Sequence, residues 1–303
     1  MKFTRYMKYT FPLIRGNDVL QLQKNLAAAG YALVGEPDGK YGAATEKAVL
    51  AFQKDRGLTV DGIVGPQTWS AIIEEMDQPK DKTLEILMPL LEVPHGFGNS
   101  IRWQVRAQGV SIEGTGVERT GGEPETVRRV WDQFGAAIET WSNRFGVPAE
   151  LIVATICTES GGDPNAVREE PGYRSDAATP DRVSPGLMQT LITTARNALQ
   201  DDGVDREWLL EPGNSIQAGT AYIASQMTRT NLDPPKVACA YNAGGIYPND
   251  GPDNRWKMRQ YPIGSGAHAD RFVRWFNDCA YAMEADNVLP ALSFRSYFLK
   301  QTA

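Results

Sequence analysis

Histidine and cysteine are scarce in this chain. The 303 residues include two histidines, His95 and His268, and three cysteines, Cys157, Cys239 and Cys279. An odd number of cysteines in a long chain argues against a disulfide framework and favours buried free thiols. The two histidines are far apart in the sequence, which argues against a zinc peptidase or amidase because catalytic zinc usually binds two or more histidines. We therefore expect neither a metal nor a cofactor.

Long apolar runs and an excess of positive charge are also absent. The longest apolar run, residues 84–93, is interrupted by Glu85, Pro89 and Glu92, so it is not expected to span a bilayer. Residues 1–15 lack the apolar stretch of about 7–15 residues that a secretory signal needs, so we expect synthesis in the cytosol without an ordinary export signal. The net charge of −6 argues against nucleic acid as the main partner.

An internal repeat organises the N-terminal part of the chain. The segment DGKYGAAT at 38–45 recurs as DGIVGPQT at 61–68. Glycine permits the tight turns, and each copy is followed by apolar residues at helical spacing. Upstream, Val19, Leu22 and Leu26 form a third stripe of this kind. The pattern predicts three short helices in a module of roughly 65 residues, which is small but able to fold alone.

This module resembles the peptidoglycan-binding domain type 1 family over residues 12–76. The resemblance implies binding to cell-wall glycan or its peptide stems, without catalysis, and does not identify the residues that touch the wall. The matching residues are VLQLQ at 19–23, Gly30-Tyr31, Asp38-Gly39 with Gly42 and Thr45, AFQ at 51–53, and DGIVGP at 61–66 with Thr68-Trp69.

Residues 77–123 are expected to connect this module to a larger domain at 124–290. In the connector, Ile101, Trp103 and Val105 alternate with polar residues, which is typical of a half-buried strand. A turn at Gln108-Gly109 would complete a β-hairpin. The larger domain shows helical spacing through most of its length, so the predicted fold class is mainly α.

Glu159 follows an apolar helical run at 151–158 and precedes Ser160 and two glycines that end the helix. Burial and the negative end of the helix dipole both disfavour a charged carboxylate at this position. We therefore predict a raised pKa, as a general acid working near neutral pH requires. An exposed, ordinary glutamate at a frayed helix end is the alternative.

Three sequence blocks in order suggest the chemistry. Glu159-Ser160-Gly161 is followed by GLMQ at 186–189 and by AYNAGG at 240–245. The trio resembles the soluble lytic transglycosylase family, which has a lysozyme-like fold and is related to goose-type lysozyme, over residues 131–284. Together with the N-terminal module, this pairing is similar to that of phage endolysins. The expected architecture is a three-helix wall-binding domain and an α-rich, lysozyme-like catalytic domain.

The resemblance implies a role for each motif residue. Glu159 would protonate the glycosidic oxygen of the MurNAc-β-1,4-GlcNAc bond and then take the proton of the muramyl 6-hydroxyl, which gives a 1,6-anhydro product. Core packing is the alternative for Met188 and Tyr241. The implied substrate-binding residues are Ser160, Gly186, Met188, Gln189, Tyr222, Tyr241 and Asn242.

The chain departs from the family pattern at the extra stretch 168–183 and at the late block HADRFV, 268–273. Asp176 or Asp181 in the extra stretch is a candidate second carboxylate for an inverting muramidase, which holds a water between carboxyl groups about 6.5–9.5 Å apart. In the late block, Phe272 replaces the family tyrosine that supports the catalytic glutamate, unless Tyr261 or Tyr281 substitutes. We favour the transglycosylase over the muramidase.

Two further functions stay open. A cysteine endopeptidase would need Cys157 with His268 as base, but a thiol inside an apolar helix has a raised pKa and little reactivity. A wall-binding protein with an inactive lysozyme-like domain is the non-enzymatic alternative. The expected partner is the peptidoglycan glycan strand, with no nucleic acid and no membrane insertion. We expect a monomer that acts on the cell wall in phage lysis or as a delivered effector.

Overall fold

A computed structural model of the chain describes residues 3–29, 31, 37–77 and 82–302. Gly30, one of the predicted family residues, lies outside the described residues. The chain divides into two compact units, Met1–Lys80 and Asp81–Ala303. Within the described residues the fold is mainly α, as the sequence predicts, with sheets of only two and three short strands.

The N-terminal unit contains the three predicted helices, α1 (Asn17–Ala28), α2 (Ala43–Asp55) and α3 (Pro66–Asp77). The predicted stripe is buried, since Val19, Leu22 and Leu26 are all 0% exposed. They share one core with apolar residues of α2 and α3, which include Ala48, Val49, Phe52, Trp69 and Ile72.

A buried glutamine holds each copy of the repeated turn. The Gln23 amide nitrogen lies 3.1 Å from Asp38 Oδ1, and its oxygen accepts a 2.7 Å hydrogen bond from the Gly39 nitrogen. Gln53 repeats this arrangement, with 2.9 Å to Asp61 Oδ1 and 2.9 Å from the Gly62 nitrogen. Gly39 and Gly62 have φ of 73° and 68°, which explains why both copies carry glycine there.

The second unit begins with α4 (Lys82–Leu91) and a small antiparallel sheet of β1 (Trp103–Arg106), β2 (Gly109–Ile112) and β3 (Gly116–Val117). Strands β1 and β2 form a hairpin where the alternating pattern predicts one, with Trp103 opposite Ile112. Leu84, Met88, Trp103 and Val105 belong to the same buried core as the helices that follow. The described connector residues 82–123 thus belong to the second unit.

Helix α6 is the centre of the second unit. All its residues from Ala149 to Thr158 are buried, as expected for a helix that is apolar on every side. Helices α5, α9, α11 and α12 pack against it. The remaining elements are α5 (Glu125–Phe145), α6 (Ala149–Glu159), β4 (Val167–Glu169), a 3-10 turn (Pro180–Arg182), β5 (Val183–Pro185), α7 (Ile192–Leu199), α8 (Arg206–Leu210), α9 (Pro212–Ser225), α10 (Met227–Thr230), α11 (Pro234–Ala243), α12 (Ala267–Ala285) and α13 (Phe294–Thr302).

The sequence also makes predictions about the cysteines and about membrane-spanning segments. Cys157, Cys239 and Cys279 are free and buried, as predicted. No helix in the described part of the chain combines the length and the apolar character needed to cross a membrane.

Candidate active site

Glu159 is the last residue of α6, and its side chain is 17% exposed. Burial raises the pKa of its carboxyl group to about 7, although the cations Arg271 and Arg168 act in the opposite direction. The pKa shift that the sequence predicts is therefore confirmed. A carboxyl group with this pKa still carries its proton over much of the near-neutral range, as a general acid must.

His268 lies beside Glu159. Its Nε2 atom is 3.6 Å from Glu159 Oε1, and its side chain is 5% exposed. Burial, with a further contribution from Arg271, lowers the pKa of His268 to about 4, so the imidazole is neutral near pH 7. The sequence alone suggests His268 only as a zinc ligand or as the base for a thiol. Its position at the start of the divergent block HADRFV was the available signal.

The segment 186–189 is joined to the end of α6 by Ser160. The Ser160 hydroxyl donates a 2.7 Å hydrogen bond to the Leu187 carbonyl oxygen. Gly186 has a φ of 81°, and a Cβ there would lie 2.0 Å from the Leu209 carbonyl oxygen. Ser160 and Gly186 therefore shape the backbone beside Glu159.

The side chains of Met188 and Gln189 also hold the backbone of the segment 186–189 in place. Met188 is 0% exposed and packs against Gly219 of α9. The Gln189 amide nitrogen donates to the carbonyl oxygens of Ala166 and Gly186, at 2.9 and 2.8 Å. Met188 is therefore part of the core, and both amide hydrogens of Gln189 are bonded to backbone carbonyl oxygens.

Tyr241 and Tyr222 form an aromatic pair near this segment, with ring centroids 5.2 Å apart. The Tyr241 hydroxyl donates to the Met188 carbonyl oxygen at 2.8 Å and lies 2.8 Å from the Thr190 hydroxyl. Burial raises the pKa of Tyr241 well above its usual value, and the negative charge of Glu159 adds to the shift. The phenol is therefore neutral, and it connects α11 to the segment beside Glu159.

Asn242, the next residue of α11, differs from Tyr241 in its hydrogen bonding. Its Oδ1 atom accepts a 2.6 Å hydrogen bond from the Tyr261 backbone nitrogen. Within the described parts of the chain, no protein acceptor is bonded to its Nδ2 atom. The side chain is half-buried. Asn242 therefore has an oriented amide with a donor available for a ligand.

The two candidate second carboxylates differ in environment. Arg206 donates to both oxygens of Asp176, at 2.7 and 2.8 Å, and Tyr173 donates a further 2.7 Å bond. These bonds, those from Arg206 above all, lower the pKa of Asp176. Asp181 is 60% exposed at its side chain and lies 4.0 Å from Arg182. Asp176 is thus occupied by protein donors, and Asp181 is in solvent.

The tyrosines that could have replaced the family tyrosine contact other groups. Tyr281 lies under the Arg119 guanidinium, 3.7 Å from its ring centroid, and its hydroxyl is 3.4 Å from Glu123. Tyr261 is 52% exposed. Phe272 is buried. Among these side chains and His268, only His268 has a described contact with Glu159.

Cys157 is unsuited to be a nucleophile. Its side chain is 4% exposed, and burial raises the pKa of the thiol to about 12. The thiolate is therefore almost absent at neutral pH, which argues against the cysteine endopeptidase.

Two family models match the chain. Residues 15–72 match the family described as "Putative peptidoglycan binding domain", and residues 136–261 match the "Transglycosylase SLT domain". Both resemblances predicted from the sequence are thereby confirmed. The second match includes Glu159, Ser160, the segment 186–189 and Asn242.

Individual relatives match shorter parts of the chain. The membrane-bound lytic murein transglycosylase C of Shigella sonnei is 32% identical over 126 residues, which cover 36% of this chain and 32% of that protein. Two N-acetylmuramoyl-L-alanine amidases, CwlM of Mycobacterium tuberculosis and CwlL of Bacillus licheniformis, are 40% and 48% identical over 65 and 58 residues. These cover 22% and 19% of this chain and 16% of each amidase, so the chain spans about a sixth to a third of these relatives.

Two solved structures resemble the chain at low scores. The Burkholderia AP3 phage endolysin is 17% identical with a TM-score of 0.31, covering 91% of this chain and all of that one. An inactive mutant of the lytic transglycosylase Slt from Pseudomonas aeruginosa is 14% identical with a TM-score of 0.34, covering 92% of this chain and 39% of that one. Scores of this size carry no conclusion about fold or activity.

Proposed function

We propose that this protein cuts the MurNAc-β-1,4-GlcNAc bond of peptidoglycan as a lytic transglycosylase, with Glu159 as the catalytic acid. The observation that carries the proposal is the buried Glu159 carboxyl group, whose pKa is raised to about 7. It lies within the region that matches the transglycosylase family and directly precedes Ser160, which is bonded to the segment 186–189.

In the proposed reaction, protonated Glu159 gives its proton to the glycosidic oxygen. The bond between this oxygen and C1 of MurNAc breaks, and GlcNAc leaves with a hydroxyl group. The ionised Glu159 then takes the proton of the MurNAc 6-hydroxyl, and the 6-hydroxyl oxygen bonds to C1. The product is a 1,6-anhydro sugar, Glu159 is protonated again, and no water is consumed.

The surroundings of the second carboxylates favour this reaction over hydrolysis. An inverting muramidase needs a carboxylate with a free oxygen to activate water. Arg206 already donates to both oxygens of Asp176, and Tyr173 donates to Oδ1. Asp181 is mostly exposed, where a carboxylate is in bulk solvent. These surroundings support the transglycosylase as the proposed reaction.

For substrate binding, we propose that the free amide donor of Asn242 bonds a sugar or its N-acetyl group. The half-buried rings of Tyr222 and Tyr241 would lie beside it, and Ser160, Gly186, Met188 and Gln189 would act through the backbone they shape. The N-terminal unit would bind the wall and raise the local concentration of glycan at the catalytic unit. We propose the bacterial cell wall as the site of action, reached in phage lysis or by delivery as an effector.

Mass spectrometry of digested, purified peptidoglycan tests the reaction. We expect muropeptides with 1,6-anhydro ends, each lighter by one water than the reducing-end product. Glu159→Gln should release none of them while still sedimenting with insoluble wall, and the exposed Glu113→Gln should behave like the unaltered protein. Reducing ends would identify a muramidase. Full activity in Glu159→Gln would contradict the proposal, and wall binding without any release from the unaltered protein would favour the non-enzymatic alternative.

A further inference from the structure

His268 and Glu159 come together from two helices that pack against each other. His268 is the second residue of α12, and Glu159 is the last residue of α6. Nε2 of His268 is 3.6 Å from Glu159 Oε1. It has no hydrogen-bond partner among the residues that the structure describes. A buried polar ring with one nitrogen 3.6 Å from a carboxyl oxygen points to a role that involves this group.

The other nitrogen of the ring determines where its proton lies. Nδ1 of His268 is 3.5 Å from the Arg271 guanidinium, which has hydrogen-bond donors and no acceptor. Nδ1 must therefore be the acceptor in this contact. In the neutral imidazole the proton is then on Nε2, the nitrogen that faces Glu159.

We infer that His268 is a positioning residue, which directs its Nε2–H at the Glu159 carboxyl group and stabilises the ionised form of Glu159 between its two proton transfers. The inference rests on the proposed catalytic role of Glu159. Phe272 lies four residues further along the same face of α12 and brings no polar atom. The chain thus has an imidazole donor on the helix where the resembled family has a phenol.

The contact distance fits a bond that forms during the reaction. At 3.6 Å the pair is longer than a formed N–H···O hydrogen bond. When Glu159 has given up its proton, the carboxylate attracts the N–H more strongly, and such bonds are about twice as strong as neutral ones. Catalytic hydrogen bonds are commonly long without substrate and shorten in the reacting complex.

Other charged or titratable groups also act on Glu159 and must be considered in any pH measurement. Arg271 on α12 and Arg168 on β4 favour its ionised form, and Tyr241 on α11 interacts with its charge. Arg168 and Tyr241 are unchanged when His268 alone is substituted, whereas Arg271 loses its contact with His268 Nδ1. A change that His268→Leu shows and His268→Gln reverses therefore reports the donor that faces Glu159.

The test compares His268→Leu, which removes the donor, with His268→Gln, which returns an amide N–H. The full-length protein is assayed for kcat and KM on peptidoglycan between pH 4.5 and 9. For His268→Leu we expect kcat to fall by about 10- to 100-fold, the loss of one hydrogen bond to a charged group, with KM changed less than about twofold. The alkaline limb of the kcat profile should move up by about one pH unit, because the ionised Glu159 is less stable. His268→Gln should recover most of kcat and the original limb.

Tyr281→Phe is the matched control on the same helix, since its hydroxyl lies near Glu123, and it should leave both parameters unchanged. Circular dichroism checks that each variant is folded. If His268→Leu is unfolded, the kcat and the alkaline limb of His268→Gln are compared with those of the unaltered protein to test the inference. Equal losses in both variants with an unmoved limb, or no loss in either, would overturn the inference. Turnover by Glu159→Gln would instead refute the proposed function itself.

Discussion

The Ser160 hydroxyl donates a 2.7 Å hydrogen bond to the backbone carbonyl of Leu187. Ser160 directly follows Glu159, and Leu187 lies in the segment whose next carbonyl, that of Met188, accepts the Tyr241 hydroxyl. The three sequence blocks are therefore connected through backbone carbonyl groups. The position of Glu159 relative to the other two blocks depends on these two bonds.

Ser160→Ala tests the first of these bonds. We expect the free energy of unfolding to fall by about 1 kcal/mol, because the Leu187 carbonyl loses its donor, and activity to fall by about tenfold. Urea unfolding and muropeptide release measure the two effects. Ser225→Ala, which removes a hydroxyl bonded to the Tyr222 carbonyl at the exposed end of α9, should change neither, because water can replace that donor. Unaltered activity in Ser160→Ala would show that this bond does not position Glu159.

Two glycines of α9 form a matched pair. A Cβ at Gly219 would lie 2.5 Å from the Met188 sulfur, whereas a Cβ at Gly213 meets nothing within 4 Å. We expect Gly219→Ala to destabilise the protein by about 1–3 kcal/mol and to lower activity, because Met188 must move. Gly213→Ala should be neutral or slightly stabilising. Thermal unfolding and the release assay compare them, and equal behaviour would contradict the close packing of Met188.

The buried Glu150 carboxyl should make the free energy of unfolding depend on pH. Its carboxyl is buried, and burial raises its pKa from 4.5 to about 7, although Oε1 accepts the Arg295 backbone N–H at 3.0 Å. Between these pH values the folded protein holds a proton that the unfolded chain releases. The free energy of unfolding therefore falls as pH rises through this window, by about 1.4 kcal/mol per pH unit for this group. Glu159 contributes in the same direction.

Glu150→Gln should weaken this pH dependence, because an amide has no charge to bury. We expect the variant to match the unaltered protein at pH 4 and to be more stable at pH 8.5, by about 1–3 kcal/mol. Urea unfolding at both pH values measures the difference. Glu113→Gln, at an exposed position, should reproduce the unaltered pH dependence. A Glu150→Gln variant that loses as much stability at pH 8.5 as the unaltered protein would refute the argument.

Turnover should depend on pH through Glu159. Since the pKa of its carboxyl is raised to about 7, the acid form predominates below this pH and is lost above it. We expect kcat/KM, which reports the free enzyme, to fall about tenfold per pH unit on the alkaline side. Wall sedimentation at the same pH values controls for binding. A kcat/KM that stays constant up to pH 9 would exclude Glu159 as the acid at its present pKa.

Gln53→Ala tests the repeated turn of the N-terminal unit. Its amide oxygen accepts the Gly62 nitrogen, and its amide nitrogen contacts Asp61, so the substitution leaves buried groups without partners. We expect a local loss of about 1–3 kcal/mol, seen as faster hydrogen exchange in peptides covering 59–72. The exposed Gln67→Ala in α3 is the control. Unchanged exchange would mean that water replaces the amide without cost.

The sequence alone determined the features that local pattern controls. The repeat at 38–45 and 61–68 predicted two equivalent turns, and both glycines have the same left-handed backbone. The apolar run at 151–158 predicted a helix buried on every side, and Glu159 at its end has the raised pKa that burial implies. Each of these properties follows from neighbours a few residues away, whose spacing is visible in the sequence.

Tertiary structure alone decided which side chains meet. The amide of Gln189 donates to two backbone carbonyl oxygens, and Met188 packs against Gly219. Asp176 was a candidate base, but Arg206 binds both of its oxygens. His268, which showed no chemical pattern in the sequence, lies beside Glu159 because α12 packs against α6. Contacts of this kind join residues far apart in the chain, and hydrophobic spacing specifies that two helices pack without specifying which polar side chains then face each other.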